Sequence, residues 1–198
     1  MLDYASFLQK KSVTAPECGF ESHEVNPKLF HWQTDIVHWA LRKGKAAVFA
    51  DCGLGKSCVQ LQWAKEVSEH ERKPVLVLTP LAVAQQTRRE GIKFGIHVTV
   101  CRTQEDVQPG INVTNYEMID HFDVNRFCGV VLDESSCIKH KDSKTRNKLQ
   151  EMAHGKSDEF PSPLIKNWED RLNQLKMLVT YFFTERKIGA RMVPGEGV

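Results

Sequence analysis

The sequence predicts an α/β domain in which a parallel β-sheet is covered by helices on both faces. Short apolar runs alternate with stretches of helical periodicity between residues 46 and 134, an alternation typical of strand–helix units. The apolar runs contain few polar residues, as expected for strands that are buried on both sides. Composition agrees, because 41% of the 198 residues are hydrophobic and 26% are charged, which is ordinary for a globular protein.

The strands and helices follow one another in a regular order. Five strands are predicted, at residues 46–49, 74–79, 97–101, 110–114 and 129–134. Helices are predicted between the strands: one ends at Gly44, one carries Val59, Trp63 and Val67 every four residues, and one runs from Thr79-Pro80 to about Phe94. A further short helix is expected to begin near Asn115. The carboxyl ends of the parallel strands are therefore expected to share one edge, where ligands bind in such sheets.

A glycine-rich turn with the sequence Ala-Asp-Cys-Gly-Leu-Gly-Lys-Ser follows the first strand, beginning at residue 50. The segment Gly53, Leu54, Gly55 allows the backbone to curl around an anion, with amides of the next helical turn pointing at it. Lys56 is predicted to neutralise the β- and γ-phosphates of ATP, and Ser57 to offer its hydroxyl to Mg²⁺. Because the first position of this P-loop pattern is alanine instead of glycine, a simple turn with a solvated lysine is the alternative.

The fifth strand ends in two adjacent acids, Asp133 and Glu134. Asp133 is predicted to bind Mg²⁺ through its water shell, and Glu134 to polarise the attacking water. We expect the P-loop strand to lie next to this strand, so that Lys56 and the two acids meet around one magnesium-bound triphosphate. The alternative is a strand terminus that is acidic by chance.

An aromatic segment with a glutamine, Phe30-His31-Trp32-Gln33, lies some twenty residues before the P-loop. A carboxamide offers both a donor and an acceptor, so that Gln33 could pair with N6 and N7 of adenine while an aromatic ring packs on the base. The alternative is a glutamine on an amphipathic helix whose Trp32 and Trp39 belong to the core.

The order of these motifs resembles that of superfamily-2 helicases. The matching segments are the Q-type motif at 30–33, motif I at 50–57, motif Ia at 79–81, motif Ib at 113–116 and motif II at 133–136. Residues 133–146 are most similar to the Swi/Snf-like branch, including its phage-encoded members. The resemblance covers residues 26–149 and implies a RecA-like P-loop NTPase domain that uses ATP and Mg²⁺. It also implies that DNA runs across Thr79, Pro80 and Asn115.

The sequence departs from that family in the segment that follows Glu134. No motif III tripeptide is evident, and the segment is too short for the second RecA-like lobe, which carries an arginine finger. We divide the chain into an N-terminal extension at 1–25, the ATP-binding domain at 26–150 and a tail at 151–198. The tail is expected to hold an amphipathic helix at 164–184 and then a frayed end.

These observations favour the ATP-binding domain of a DNA helicase or translocase that is incomplete without a second lobe. A truncated, non-catalytic nucleotide- or DNA-binding module is the alternative, and a small-molecule P-loop kinase is the third reading. The net charge of +2 makes no case of its own for nucleic acid. Lacking CxxC pairs and long apolar segments, the chain is expected to be cytoplasmic, without disulfides or a membrane partner. The resemblance to phage-encoded helicases implies that the cell is a bacterium or a phage-infected host.

Overall fold

The structure is a computed structural model that describes residues 17–22, 24–50, 53–134, 176–181 and 191–192. Its strands are β1 (Lys45–Phe49), β2 (Val75–Thr79), β3 (Val98–Val100), β4 (Ile111–Asn115), β5 (Gly129–Leu132), β6 (Lys176–Tyr181) and β7 (Arg191–Met192). Its α-helices are α1 (His31–Lys43), α2 (Lys56–Glu71) and α3 (Ala84–Phe94). Short 3₁₀ helices span Gln104–Asp106, Tyr116–His121 and Val124–Arg126.

The described strands form one sheet in the order β3-β4-β2-β5-β6-β1-β7. Neighbouring strands from β3 to β1 are parallel, and β7 pairs with β1 in the antiparallel direction. This confirms the predicted α/β architecture built on a parallel sheet, whose inner strands require cover on both faces.

The sheet is covered differently on its two faces. Val75 and Val77 of β2 point into a core shared with α1, α2 and α3. Leu76 and Leu78 point to the opposite face, where the 3₁₀ helix Tyr116–His121 contributes to a second core. These four side chains of β2 are fully buried, so both faces of the sheet are closed off from solvent at its centre.

Helix α2 packs as the sequence predicts. Val59, Trp63 and Val67 lie on its buried side, with exposed fractions of 2%, 0% and 1%. The helix begins directly at the lysine of the P-loop, Lys56, and ends at Glu71. Because α2 is packed against the sheet, it fixes the position of the P-loop at the strand ends.

Helix α3 begins later than predicted. Thr79 is the last residue of β2, where it pairs with Asn115 of β4, and the helix starts only at Ala84. A turn intervenes, in which Val83 donates its amide to the carbonyl of Pro80 at 2.9 Å. Thr79 belongs to the strand because β4 extends far enough to pair with it. The local Thr-Pro signal could not indicate this.

The C-terminal segment contains the largest error of the sequence analysis. Residues 176–181 form strand β6 within the sheet, so the helix predicted at 164–184 is wrong for these residues; 164–175 and 182–184 lie outside the described part of the chain. Residues 191–192 pair with β1, although a frayed end was expected there. The run Met177-Leu178-Val179 suits either helix or strand, and the free edges of β5 and β1 select the strand.

Strand β6 also corrects the expected position of the two motifs. It lies between β5 and β1, pairing Leu132 with Val179 and Ala47 with that same residue. The P-loop strand and the acidic strand are therefore not neighbours. Two strand spacings separate them, or about 10 Å.

Part of the predicted N-terminal extension is attached to the domain. The amides of Gly19 and Phe20 donate to the carbonyls of Arg42 and Leu41 at 3.0 Å each. These bonds satisfy carbonyl groups in the last turn of α1, which have no partner within a helix. Gly19 lies so close to α1 that an added Cβ would overlap the carbonyl oxygen of Leu41.

We predict that Trp63→Ala lowers the free energy of unfolding by about 3–5 kcal/mol, because a fully buried indole leaves a large cavity. Trp63→Phe serves as the matched variant. It should cost clearly less, since the indole Nε1 has no hydrogen-bond partner to lose. Urea denaturation of the full chain measures both, and equal losses for the two variants would contradict this packing.

Candidate functional site

The candidate site lies where the parallel strands end. The register places Thr79 of β2 beside Asn115 of β4, and Leu78 beside Leu132 of β5. Asp133 continues this level, since its amide donates to the carbonyl of Leu78 at 2.9 Å. The acids, the predicted nucleic-acid residues and the P-loop are thus gathered at one edge of the sheet.

The described glycines of the P-loop adopt conformations that favour glycine. Gly53 has a φ of 81° and Gly55 a φ of 67°, both in the left-handed region. Gly55 caps α2, and its carbonyl accepts a hydrogen bond from the amide of Cys58 at 3.1 Å. A side chain at this position would also meet Gln33, as an added Cβ would lie 2.5 Å from its Nε2.

Lys56 is buried at the first position of α2, with an exposed fraction of 8%. Its Nζ donates a 2.9 Å hydrogen bond to the carbonyl of Ala50, which spans the loop from end to start. The ammonium group is therefore buried in the turn and not solvated, while its contact with phosphates stays a prediction. Ser57, the next residue, is partly exposed.

Gln60 joins the P-loop helix to the acidic strand end. Its Nε2 donates to Oδ1 of Asp133 at 2.7 Å, and both side chains are buried. Gln60 lies one turn after Lys56, so the two occupy neighbouring positions on one side of α2. The hydrogen bond therefore brings the lysine and the acid to the same rim across the intervening strand β6.

The acid pair is held by its backbone as well as by Gln60. The hydroxyl of Tyr116 donates to the carbonyl of Asp133 at 2.7 Å. Glu134, partly exposed, has a φ of 51°, a left-handed conformation that is uncommon for a residue with a side chain. Asp133 and Glu134 consequently leave the strand in different directions.

Gln33 supports the P-loop in this structure. Its Oε1 accepts from the amide of Phe30 at 3.0 Å, and its Nε2 donates to the carbonyl of Leu54 at 3.2 Å. With an exposed fraction of 3%, the carboxamide is enclosed between the start of α1 and the loop. A contact with adenine would require it to exchange one of these bonds, so this role stays a prediction.

The aromatic residues near Gln33 are divided between surface and core. Trp39 packs against the core, whereas Trp32 is 37% exposed and Phe30 is 68% exposed. Trp32 also lines a small crevice together with Leu54 and Lys56. An exposed aromatic surface therefore borders the P-loop, as base stacking would require.

The predicted nucleic-acid residues lie together but differ in exposure. Thr79 is fully buried, and its hydroxyl lies 3.4 Å from the carbonyl of Thr114. Pro80 and Asn115 are partly exposed, and Leu81 is 70% exposed. Any ligand at this edge would therefore meet residues 80, 81 and 115, and not the Thr79 side chain.

Sequence reasoning missed two side chains that contact the acidic strand end. Gln60 could have been suspected from its spacing of four residues from Lys56, which places it toward the strand ends. Tyr116 was quoted only as part of a motif, and no local signal indicates that its hydroxyl reaches the acidic strand, because β2 lies between β4 and β5. Such a contact depends on the strand order alone.

The described cysteines are thiols, three of which are buried. Cys18, Cys58, Cys101 and Cys128 form no disulfide. Burial raises the pKa of the Cys101 thiol to about 11 and that of Cys128 to about 12, and it also raises the pKa of Cys58. These thiols are therefore protonated at neutral pH.

The described residues contain no cluster of three or more His, Cys, Asp or Glu side chains that could hold a metal. Mg²⁺ does not require such a cluster, because it commonly keeps several waters and uses one or two protein oxygens plus phosphate. Among the described helices, none has the length and apolar character needed to cross a bilayer.

The fold is similar to that of solved helicase and ATPase structures. The UvsW helicase from bacteriophage T4 matches 90% of this chain over 60% of its own, with a TM-score of 0.51 and 13% identity. Another structure of T4 UvsW matches 90% over 34%, with a TM-score of 0.57 and 12% identity. The SWI2/SNF2 ATPase core of Sulfolobus solfataricus in complex with dsDNA matches 84% over 34%, with a TM-score of 0.56 and 17% identity.

The fold therefore belongs to the RecA-like α/β class and is similar to that of the matched helicase and ATPase structures. At these identities, the similarity establishes the fold. The chain spans between 34% and 60% of the lengths of the structures that it matches. No protein-family model and no curated protein matches the sequence.

We predict that Gly55→Ala is more destabilising than Gly53→Ala. Both changes strain a left-handed backbone, at about 1–2 kcal/mol. Only Gly55→Ala also displaces the Gln33 carboxamide, because a Cβ at Gly53 meets nothing within 4 Å. Urea denaturation checks the order, and introducing both changes separately into Gln33→Ala should reduce the difference between them.

We further predict that Gln60→Ala lowers stability by about 1.5–3 kcal/mol, since it removes a hydrogen bond to a buried carboxylate. It should also weaken magnesium-dependent ATP binding, measured by calorimetry, because the acid loses its orientation.

Gln62→Ala is the matched control for this prediction. Gln62 is equally buried on the same helix, and its Nε2 donates to Glu66 at 2.6 Å, away from the acid pair. It should reduce stability without changing nucleotide affinity. Parallel loss of affinity in both variants would argue against the role assigned to Gln60.

Proposed function

We propose that this chain is the ATP-binding lobe of a nucleic-acid-dependent ATPase of the helicase or translocase type. ATP and Mg²⁺ would lie at the carboxyl edge of the sheet, between Lys56 and Ser57 on one side and Asp133 and Glu134 on the other. The hydrogen bond between Gln60 and Asp133 is the observation that supports this most directly. It joins the P-loop helix to the acidic strand end, which supports a shared ligand site at this edge.

The residues of this edge suit a magnesium-bound triphosphate in their chemistry. Ser57 and Asp133 supply hard oxygen ligands, which Mg²⁺ prefers. Gly53 and Gly55 leave room for the close approach of a phosphate to the backbone. Bound Mg²⁺ would neutralise charge on the phosphate oxygens.

Lys56 would bind the phosphates, and Glu134 would act as the general base. Lys56 would exchange its bond to the carbonyl of Ala50 for the β- and γ-phosphates, a short movement of a flexible side chain. Glu134 would orient a water and accept its proton as that water attacks the γ-phosphate. The different directions of the two acids keep this base apart from the carboxylate of Asp133, which would hold the metal.

The base of the nucleotide would lie near the start of α1. Trp32 and Phe30 offer exposed aromatic surface there, and Gln33 offers donor and acceptor groups. To pair with N6 and N7 of adenine, Gln33 would release the amide of Phe30 or the carbonyl of Leu54. Base recognition would thus be coupled to the position of the P-loop.

DNA is proposed to cross the edge formed by the ends of β2 and β4. Pro80 and Asn115 are accessible there, and Thr79 would hold the two strand ends together. Amides and small polar groups at strand ends can contact phosphates without reading sequence. The similar SWI2/SNF2 core was solved with dsDNA, which favours DNA as the partner.

Full turnover is proposed to need a second RecA-like lobe, in trans or in a longer parent chain. An arginine finger from such a lobe supplies about 10³–10⁵ of rate in related phosphoryl transfer. The chain alone would then bind ATP well and hydrolyse it slowly. Its site of action would be the cytoplasm of a bacterium or a phage-infected cell.

We predict that Lys56→Ala lowers the affinity for Mg·ATP by at least about tenfold, because the phosphates lose their only proposed side-chain cation. Glu134→Gln should keep the affinity within about twofold but slow hydrolysis by about 10²–10⁴-fold, which leaves a measurable residual rate. Calorimetry measures binding, and single-turnover hydrolysis of labelled ATP with and without duplex DNA measures catalysis.

Lys65→Ala is the matched control, since Lys65 lies on the same helix and forms only a surface pair with Glu69 at 3.5 Å. Its affinity should equal that of the unaltered chain. Saturable binding without any turnover, even with DNA, would favour the non-catalytic module. If the unaltered chain shows no magnesium-dependent binding of ATP, the proposed function is wrong.

A further inference from the structure

Tyr116 contacts the acid pair although it follows a strand that lies two positions away in the sheet. Tyr116 follows β4, while Asp133 follows β5, and β2 separates the two strands. The tyrosine nevertheless donates its hydroxyl to the carbonyl oxygen of Asp133 at 2.7 Å. With an exposed fraction of 5%, it makes this contact inside the second core.

The bond acts on the peptide group that joins Asp133 to Glu134. That peptide carries the carbonyl of the first acid and the amide of the second, so its orientation sets the direction in which Glu134 leaves the strand. Glu134 has a φ of 51°. For a residue with a side chain this conformation is unfavourable and persists only where the surroundings hold it.

The surroundings that hold this peptide come from both sides of the sheet. From the helical side, Gln60 donates to the carboxylate of Asp133. Within the sheet, the amide of Asp133 is bonded to the carbonyl of Leu78. From the opposite side, the hydroxyl of Tyr116 donates to the carbonyl of Asp133. The Tyr116 side chain belongs to the same buried core as Leu76, Leu78 and Leu132.

We infer that Tyr116 is a positioning residue that keeps Glu134 in its left-handed conformation and so directs its carboxylate to the attacking water. The inference rests on the function proposed above for Glu134. It does not make Tyr116 a catalytic residue, because the hydroxyl contacts a backbone carbonyl and is buried away from the ligand edge.

The same residue links the acid pair to the proposed DNA edge. Tyr116 directly follows Asn115, the last residue of β4, which is partly exposed beside Thr79. A shift of this turn when DNA binds would be transmitted through one side chain to the carbonyl of Asp133. DNA contact would thereby change the orientation of Glu134 without touching the nucleotide.

The first experiment tests the positioning without using activity. Tyr116→Phe keeps the packed ring and removes only the hydroxyl. In the full chain labelled with ¹⁵N and ¹³C, we expect the amide of Asp133, which is bonded to the carbonyl of Leu78, to exchange with solvent about tenfold faster, because the strand end loses one of its buried hydrogen bonds. The carbonyl resonance of Asp133 should also move.

Ile119→Val is the matched control for this measurement. Ile119 lies on the same 3₁₀ helix and is buried in the same core, but no hydrogen bond links its side chain to the acid pair. Its variant should leave exchange at the Asp133 amide unchanged. Exchange at this amide that stays within twofold of the unaltered chain in Tyr116→Phe, with the Asp133 carbonyl resonance unmoved, would overturn the inference, whatever the ATPase activity.

The second experiment tests the consequence for catalysis. Tyr116→Phe should keep KM for ATP within about twofold while kcat, measured with saturating duplex DNA, falls about tenfold. In a Glu134→Gln background the change should have no further effect on the residual rate, because the group that it orients is gone. A general structural defect would instead raise KM or lower the rate in both backgrounds.

The two failures can be told apart. If the unaltered chain binds no Mg·ATP, the proposed function fails, and the exchange measurement still decides whether Tyr116 holds the peptide. If the unaltered chain hydrolyses ATP and Tyr116→Phe retains its kcat and its stimulation by DNA, the positioning role is refuted while the proposed function stands.

Discussion

A single hydrogen bond between two buried side chains organises the candidate site. Gln60 on α2 donates to Asp133 at the end of β5, and this contact bridges the width of the inserted strand. A carboxylate buried without such a donor would be costly, so the helix and the strand end stabilise each other's placement. Lys56, one turn earlier on α2, is thereby held at the same rim as the acids.

Strand β6 sets the distance between the two halves of the candidate site. By lying between β5 and β1 it moves the P-loop strand about 10 Å from the acidic strand. Across this separation, the hydrogen bond from Gln60 to Asp133 limits how far the P-loop helix and the acidic strand end can part.

Three residues at the same edge have left-handed backbone conformations. Gly53, Gly55 and Glu134 all have positive φ angles, and each lies where the chain turns sharply at a strand end or helix start. Gln33 and Tyr116 support these turns by bonding to nearby carbonyl oxygens, those of Leu54 and Asp133. These hydrogen bonds hold the turns of the candidate site in conformations that would otherwise be uncommon.

The sequence alone determined the parallel α/β class, the buried face of α2 and the P-loop between β1 and α2. These features are local, since they depend on periodicity and on glycines at fixed spacing from Lys56 and Ser57. Only the tertiary structure decided that residues 176–181 enter the sheet as β6, and that Gln60 and Tyr116 converge on Asp133. The physical reason is that strand order and partner choice depend on which edges are left open after the whole chain has packed, and no short stretch of residues carries that information.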